Sequence, residues 1–283
     1  MTIGAKFGAR LAASALLLAL AGPLFAGPPL VTDDPETPGL HGWEVNVSDD
    51  VEKTHDHLTV DAPYLDINYG RLENDQLRIQ FPLVRFFDPE DGDPHAGVGD
   101  VGLGWKCRFL DEDKVGFAAS VYPQMILPTG NRHLGLGDGV MELFLPMEIG
   151  KHFCDERLFV YAEAGYYQSL DGAADDAWDF GLAAEWKWTK KLTVMGEVGG
   201  KMFPYGGAPD DPFFNVGGAY HCNDTAAVIG SAGRSFRGSN SDAPEFTSFL
   251  GFQFTWGAAK KEEEKDDAEK DKDSEKAEGT DKG

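Results

Sequence analysis

Several residue groups have types and spacings that could support chemistry. His55-Asp56-His57, with His41 nearby, sets two imidazoles one residue apart, a spacing found in metal-binding tracts and more commonly in solvated loops. Asp88, Glu90, Asp91, Asp93 and His95 offer oxygen ligands, but the fixed calcium-loop spacing with its later bidentate Glu is absent. Ser235, Ser239 and Ser241 lie beside Arg234 and Asp242 with no His near in sequence to activate a hydroxyl. The glycines at 99 and 135–139 are followed by no Lys-Ser/Thr and helix, so they are turns rather than phosphate loops. Cys107, Cys154 and Cys222 are odd in number, and either a Cys154–Cys222 or a Cys107–Cys154 bridge is open. No catalytic, cofactor or metal residue is expected, and the chain is not read as an enzyme. The informative charges are instead spread at alternate positions along apolar stretches. They are Arg78, Lys106, Arg108, Glu142, Glu148, Glu163, Glu185, Lys187, Glu197 and Lys201, joined by Glu44, Asn46, Gln80, Asn215 and Gln253.

That alternation dictates the elements that carry them. Trp178, Phe180, Leu182, Ala184, Trp186 and Trp188 share one face of a stretch whose other face is Asp179, Gly181, Ala183, Glu185 and Lys187. Phe246, Leu250, Phe252, Phe254 and Trp256 oppose Glu245, Thr247, Gln253 and Thr255 in the same way. A period of two places one face in an apolar medium and the other against polar groups. Turn residues divide the chain into about twelve such stretches. They lie near 43–50, 58–70, 76–86, 98–110, 115–127, 138–152, 157–169, 177–189, 191–203, 212–222, 225–235 and 244–256.

Short connections at 111–114, 153–156, 190 and 223–224 alternate with longer ones at 87–97, 128–137, 204–211 and 236–243. This is the arrangement of an up-and-down barrel with short turns on one rim and long loops on the other. The stretches match a tilted bilayer-spanning strand in length. Aromatics such as Trp43, Phe86, Trp186 and Trp256 gather at their ends, where amphipathic rings meet the headgroups. The expected fold is all-β: a closed antiparallel transmembrane barrel of about twelve strands, with these alternating charges lining its lumen. Pro63, Pro82, Pro123 and Pro146 remove ladder donors and must sit at bulges or rims.

The chain has 283 residues and a net charge of −23, which excludes nucleic acid as a partner because phosphate contact needs clustered Lys and Arg. Residues 1–26 read as an export signal: Lys6 and Arg10, an apolar run from Leu11 to Ala21, and Ala26 before the cleavage point. Residues 258–283 hold 7 Lys against 11 acidic residues and no aromatic, so they read as a disordered charged tail. The barrel is assigned to 27–257, with the segment 27–42 preceding its first strand.

The order of short motifs resembles the outer-membrane, transporter-like family named for the MetA pathway of phenol degradation. Leu30-Val31-Thr32-Asp33-Asp34-Pro35 opens the match and Asn68-Tyr69-Gly70 continues it. Gly97 to Phe109 (GVGDVGLGWKCRF) is its most specific part, followed by Leu127-Pro128-Thr129-Gly130 and Gly135-Leu136-Gly137. Cys107 stands where an aromatic is usual, and the tail beyond Trp256 departs from the family pattern. The resemblance implies a bacterial outer-membrane barrel importing small hydrophobic or aromatic compounds.

The expected function is passive or facilitated passage of small solutes, gated by an inward loop or by residues 27–42. The alternative is a closed structural or binding barrel of the envelope. Expected partners are outer-membrane lipid, small solutes and a periplasmic partner of the tail.

Overall fold

The computed structural model describes residues 29–172, 174–204, 209–237 and 243–257. The export signal at 1–26 and the charged tail at 258–283 lie outside the described residues.

The alternating stretches form β1 (Trp43–Lys53), β2 (His57–Tyr69), β3 (Asp75–Pro82), β4 (Arg85–Pro89), β5 (His95–Gly97), β6 (Val101–Leu110), β7 (Ala118–Val121) and β8 (Gln124–Leu127). The second half supplies β9 (Glu142–Phe153), β10 (Leu158–Ser169), β11 (Ala177–Lys187), β12 (Leu192–Met202), β13 (Asp211–Asn223), β14 (Ala226–Ser235) and β15 (Phe246–Trp256). Every pairing is antiparallel, and β1 closes onto β15 from Trp43↔Trp256 to Lys53↔Phe246. The result is a closed barrel of 12 staves, because β3–β4, β5–β6 and β7–β8 are each one stave interrupted.

Two of the three interruptions have a local cause. Stretch 76–86 was expected to be continuous, but it breaks at Leu83-Val84 after Pro82, whose missing N–H cannot serve the ladder. Here Pro63 and Pro82 act only as acceptors, from Leu83 N at 2.9 Å and Gly99 N at 3.3 Å. A second break falls at Tyr122-Pro123, where Trp105 N donates to the Pro123 carbonyl at 3.0 Å and Tyr122 N to that of Pro146 at 3.1 Å. The turn at 111–114 contains a short helix, α1 (Glu112–Val115), ended by Gly116 at φ 86°.

The barrel is inverted relative to a water-soluble protein. Leu182 on the outer face is 51% exposed and Leu250 63%, while Glu148 and Asn46 on the inner face are 0% and 1% exposed. Such a surface is stable only in an apolar medium, since a broad exposed apolar band is untenable in water. No helix among the described residues is long and apolar enough to cross a membrane; the strands provide the crossing. The short-turn rim carries Trp43 stacked on Trp256 (centroids 6.1 Å) and against Tyr69 (4.6 Å), with Arg157 over Trp186. The opposite rim carries Tyr166 against Trp178 and Phe214 against Phe236. β1 begins and β15 ends on the short-turn rim, so the segment preceding β1 enters from that side.

All three cysteines are free, Cys107 half-buried and Cys154 and Cys222 exposed, so neither candidate bridge forms.

Candidate functional site: the lumen and its inner segment

The charged residues at alternate strand positions are covered to different degrees. Lys106, Glu148, Glu163, Glu185 and Glu197 are buried, and Arg78, Arg108, Glu142, Lys187 and Lys201 are half-buried. Half of them belong to one feature, because residues 29–42 do not run along the outside but cross the lumen.

On the far wall, the Glu197 carboxylate of β12 accepts the backbone N–H of Val31 at 2.8 Å through Oε1 and that of Thr32 at 2.7 Å through Oε2. Asn215 on β13 donates to the same Oε1 at 2.6 Å and fixes the carboxylate. Ser231 on β14 donates to the Pro29 carbonyl at 2.5 Å. Leu30 packs into a small apolar cluster with Phe159, Tyr161 and Ala183. Thr32 rests on the wall at Gly181, where a Cβ would meet the Thr32 hydroxyl at 2.2 Å. Any side chain at 181 therefore displaces the segment.

On the near wall the segment meets cations. Asp33 accepts from Lys106 Nζ at 3.0 Å and from Arg78 Nη1 at 3.3 Å. Lys106 also donates to the Asp34 carbonyl and lies 3.2 Å from Glu148. Glu36 pairs with Arg108, and Thr37 donates to the Glu73 carbonyl at 3.2 Å. The segment then leaves through Gly39 to Gly42. There Gly70 N donates to the Gly42 carbonyl and His41 N to that of Gly70, each at 2.8 Å, and a Cβ on Gly70 would lie 1.8 Å from the Gly39 carbonyl oxygen.

The cations are themselves held. Arg78 forks onto Asp66 with Nε to Oδ1 at 2.7 Å and Nη2 to Oδ2 at 2.9 Å, a bidentate geometry that fixes its direction. Asn68 donates to Asp66 and Gln76 to Asn68, which continues the network along β2 and β3. Lys106 lies 4.7 Å from the centre of the Tyr122 ring, and Ser120 donates to Glu148. Asp61, Asp66, Gln76 and Tyr122 join this wall beyond the expected residues, as does Asn68, whose motif carried no lumen role. For Asp66 and Asn68 the signal was present, since they alternate with Leu65 and Ile67. Tyr122 sits at a proline break where alternation fails.

Two acidic groups of the segment are driven apart. Burial pushes the Asp33 carboxyl up, but the Lys106 and Arg78 charges outweigh it and hold it below the usual carboxylate range. Burial pushes Asp34 well above that range; Lys106 opposes this without cancelling it, and the Asp33, Glu36 and Glu148 charges add to the rise. Asp34 Oδ2 and Glu148 Oε1 are buried with no hydrogen-bond partner among the described residues.

Between these charges the inner wall of β10 to β15 carries two small apolar clusters, Phe159, Tyr161 and Ala183 with Leu30, and Ala219, Ala227 and Ile229, with Met195 packed against both. They lie among the buried Glu163, Asp179, Glu185 and Glu197, of which Glu185 accepts from Tyr161 at 3.0 Å.

No family model matches the sequence, and no curated protein matches it. Among solved structures, the barrel superposes on an outer membrane channel from Pseudomonas putida F1 with a TM-score of 0.60, covering 82% of this chain and 100% of that one at 16% identity. This is the outer-membrane β-barrel fold. The NanC porin (TM-score 0.53, 9% identity, 74% of this chain and 98% of that one) has the same barrel architecture. So has the KdgM porin (0.50, 12% identity, 75% and 99%). These identities carry the architecture alone. Within the outer-membrane barrel described here, the segment 29–42 is the feature that most alters what the lumen can do.

Proposed function

We propose that this protein is an outer-membrane channel for small solutes in which residues 29–42 act as a removable plug. The observation that carries this reading is that the segment is held to opposite walls by polar clasps, Val31 and Thr32 by Glu197 on one side and Asp33 by Lys106 with Arg78 on the other. Hydrogen bonds to charged groups contribute roughly 1.5–3 kcal/mol each, and water in an aqueous lumen can replace them. The orphaned oxygens of Asp34 and Glu148 subtract from the seated state, each by roughly 1–3 kcal/mol. A seat built this way is reversible, unlike a continuous apolar core.

We further infer that the solutes are small aromatic or hydrophobic compounds and that the chain belongs to the phenol-degradation family its motifs resemble. The two apolar clusters on the lumen wall, around Phe159 and Tyr161 and around Met195 and Ile229, support this substrate class. The excess of lumen carboxylate disfavours anions. The second reading, a closed structural barrel, is favoured by the near-complete burial of Thr32, Asp34 and Thr37.

Planar-bilayer recording and liposome swelling with the full chain and with residues 29–41 deleted separate the two readings. The channel reading expects low conductance in the full chain, a large increase on deletion, and faster uptake of neutral phenolic solutes than of their anionic analogues. A deletion variant that assembles as a heat-modifiable barrel yet conducts no more than the parent overturns it and leaves the structural barrel.

A further inference from the structure

The loops of the rim opposite the plug's entry bring together two residue groups that the channel reading leaves unused. His55 and Asp56 form the turn between β1 and β2, and Glu90 follows β4. One ligand atom from each of the three lies within 4.8 Å of the others. We propose that His55, Asp56 and Glu90 form a binding site for a divalent transition-metal ion on the long-loop rim.

The distances suit the task. Metal–ligand bonds of about 2.0–2.2 Å place neighbouring donor atoms roughly 3–4.4 Å apart, which exposed side chains reach from the observed spread by small rotations. The backbone already joins the two contributing loops, because Glu90 N donates to the Asp56 carbonyl at 2.7 Å. The turn is fixed by Thr54, whose hydroxyl accepts from Asp56 N at 3.2 Å and from His57 N at 3.1 Å. The backbone beneath the three ligands is therefore set by the chain, and only the side chains need to close on the ion.

Charge supplies the second argument. Asp56 and Glu90 are like-charged and adjacent, yet no Lys or Arg among the described residues pairs with either. Asp61 and Asp66, by contrast, are each held by an arginine, Arg85 and Arg78. The juxtaposition at 56 and 90 is answered by nothing the chain provides, and an imidazole points into it.

His57 is not part of the site, contrary to the pairing its spacing suggests. Its Nδ1 lies 3.0 Å from the Thr54 hydroxyl, its Nε2 3.7 Å from Glu52, and its ring against Phe87. One neutral imidazole with two carboxylates favours zinc, nickel, cobalt or copper over calcium and magnesium, which take all-oxygen sets. Three protein donors leave further positions to water, as the exposure of all three residues requires. Bound there, the ion would pin the β1–β2 turn to the end of β4.

The test is calorimetric titration of the full-length protein in detergent with nickel(II), its thiols first alkylated so that Cys107, Cys154 and Cys222 do not compete. The expected result is one high-affinity ion per chain that excess calcium does not displace. Affinity should fall about tenfold or more in His55→Ala and in Glu90→Gln and stay unchanged in His57→Ala. Heat-modifiable migration of each variant confirms an assembled barrel. Equal uptake by the parent and by the His55→Ala/Glu90→Gln double variant overturns the site. So does loss of binding in His57→Ala with retention in His55→Ala, and displacement by calcium overturns the assigned metal class.

Discussion

Asp33 and Asp34 are chain neighbours with opposite needs, and this makes the plug sensitive to pH. Asp33 is held below the usual carboxylate range, so its contribution to seating is full above the unfolded value of 3.8 and is lost as pH falls through its lowered value. Asp34 is raised well above 3.8, so its contribution is full below 3.8 and is lost as pH rises through its raised value. Around Asp34 lie Lys106, Asp33, Glu36 and Glu148; around Asp33 lie Lys106 and Arg78. Seating should thus be tightest in mildly acidic solution, with the open fraction growing as pH rises. Single-channel recordings across pH check this: Asp34→Asn should abolish the alkaline rise, and Asp33→Asn should leave the channel more open throughout. An alkaline rise unchanged in Asp34→Asn means that another group controls it.

At the scale of the element, the segment 29–42 is a strap with two fastenings, and each can be cut separately. Glu197→Gln keeps the shape but leaves one acceptor oxygen for the two N–H groups of Val31 and Thr32 and sets an NH₂ against the other. The expected loss is about 1.5–3 kcal/mol of seating, an increase of roughly tenfold or more in the open fraction. Recording from Glu197→Gln beside Glu197→Asp checks whether the carboxylate or merely its bulk matters. This clasp could not be read from the sequence, because its donors are backbone amides that any residue supplies. Only the Pro- and Asp-rich character of 27–42 marked the segment as able to enter the pore. The strands were far more legible, since alternation such as Trp178-Asp179-Phe180 is local. Where a proline suspended it, at Pro82 and at Tyr122-Pro123, the expected strand proved to be two.

For the whole molecule the decisive property is that its apolar side faces outward. Leu182, half exposed at the middle of β11, and Ala183, 1% exposed beside it, differ only in the direction of a Cβ. Leu182→Arg should therefore destabilise the bilayer-folded barrel by about 2–4 kcal/mol, measured by denaturant titration in phospholipid vesicles. If Leu182→Arg is neutral, β11 does not face lipid.

The Trp43–Trp256 seam sets the order of biogenesis. The stave that leaves the ribosome earliest pairs with the second but finds its other neighbour only when the final one has been made, so translation gives no cylinder, only a sheet with two raw margins. Such margins recruit other chains. The nascent polypeptide therefore needs an escort that shields it until both ends are delivered together. Shortening the gene by its last hairpin should yield aggregate and proteolytic fragments rather than a smaller pore.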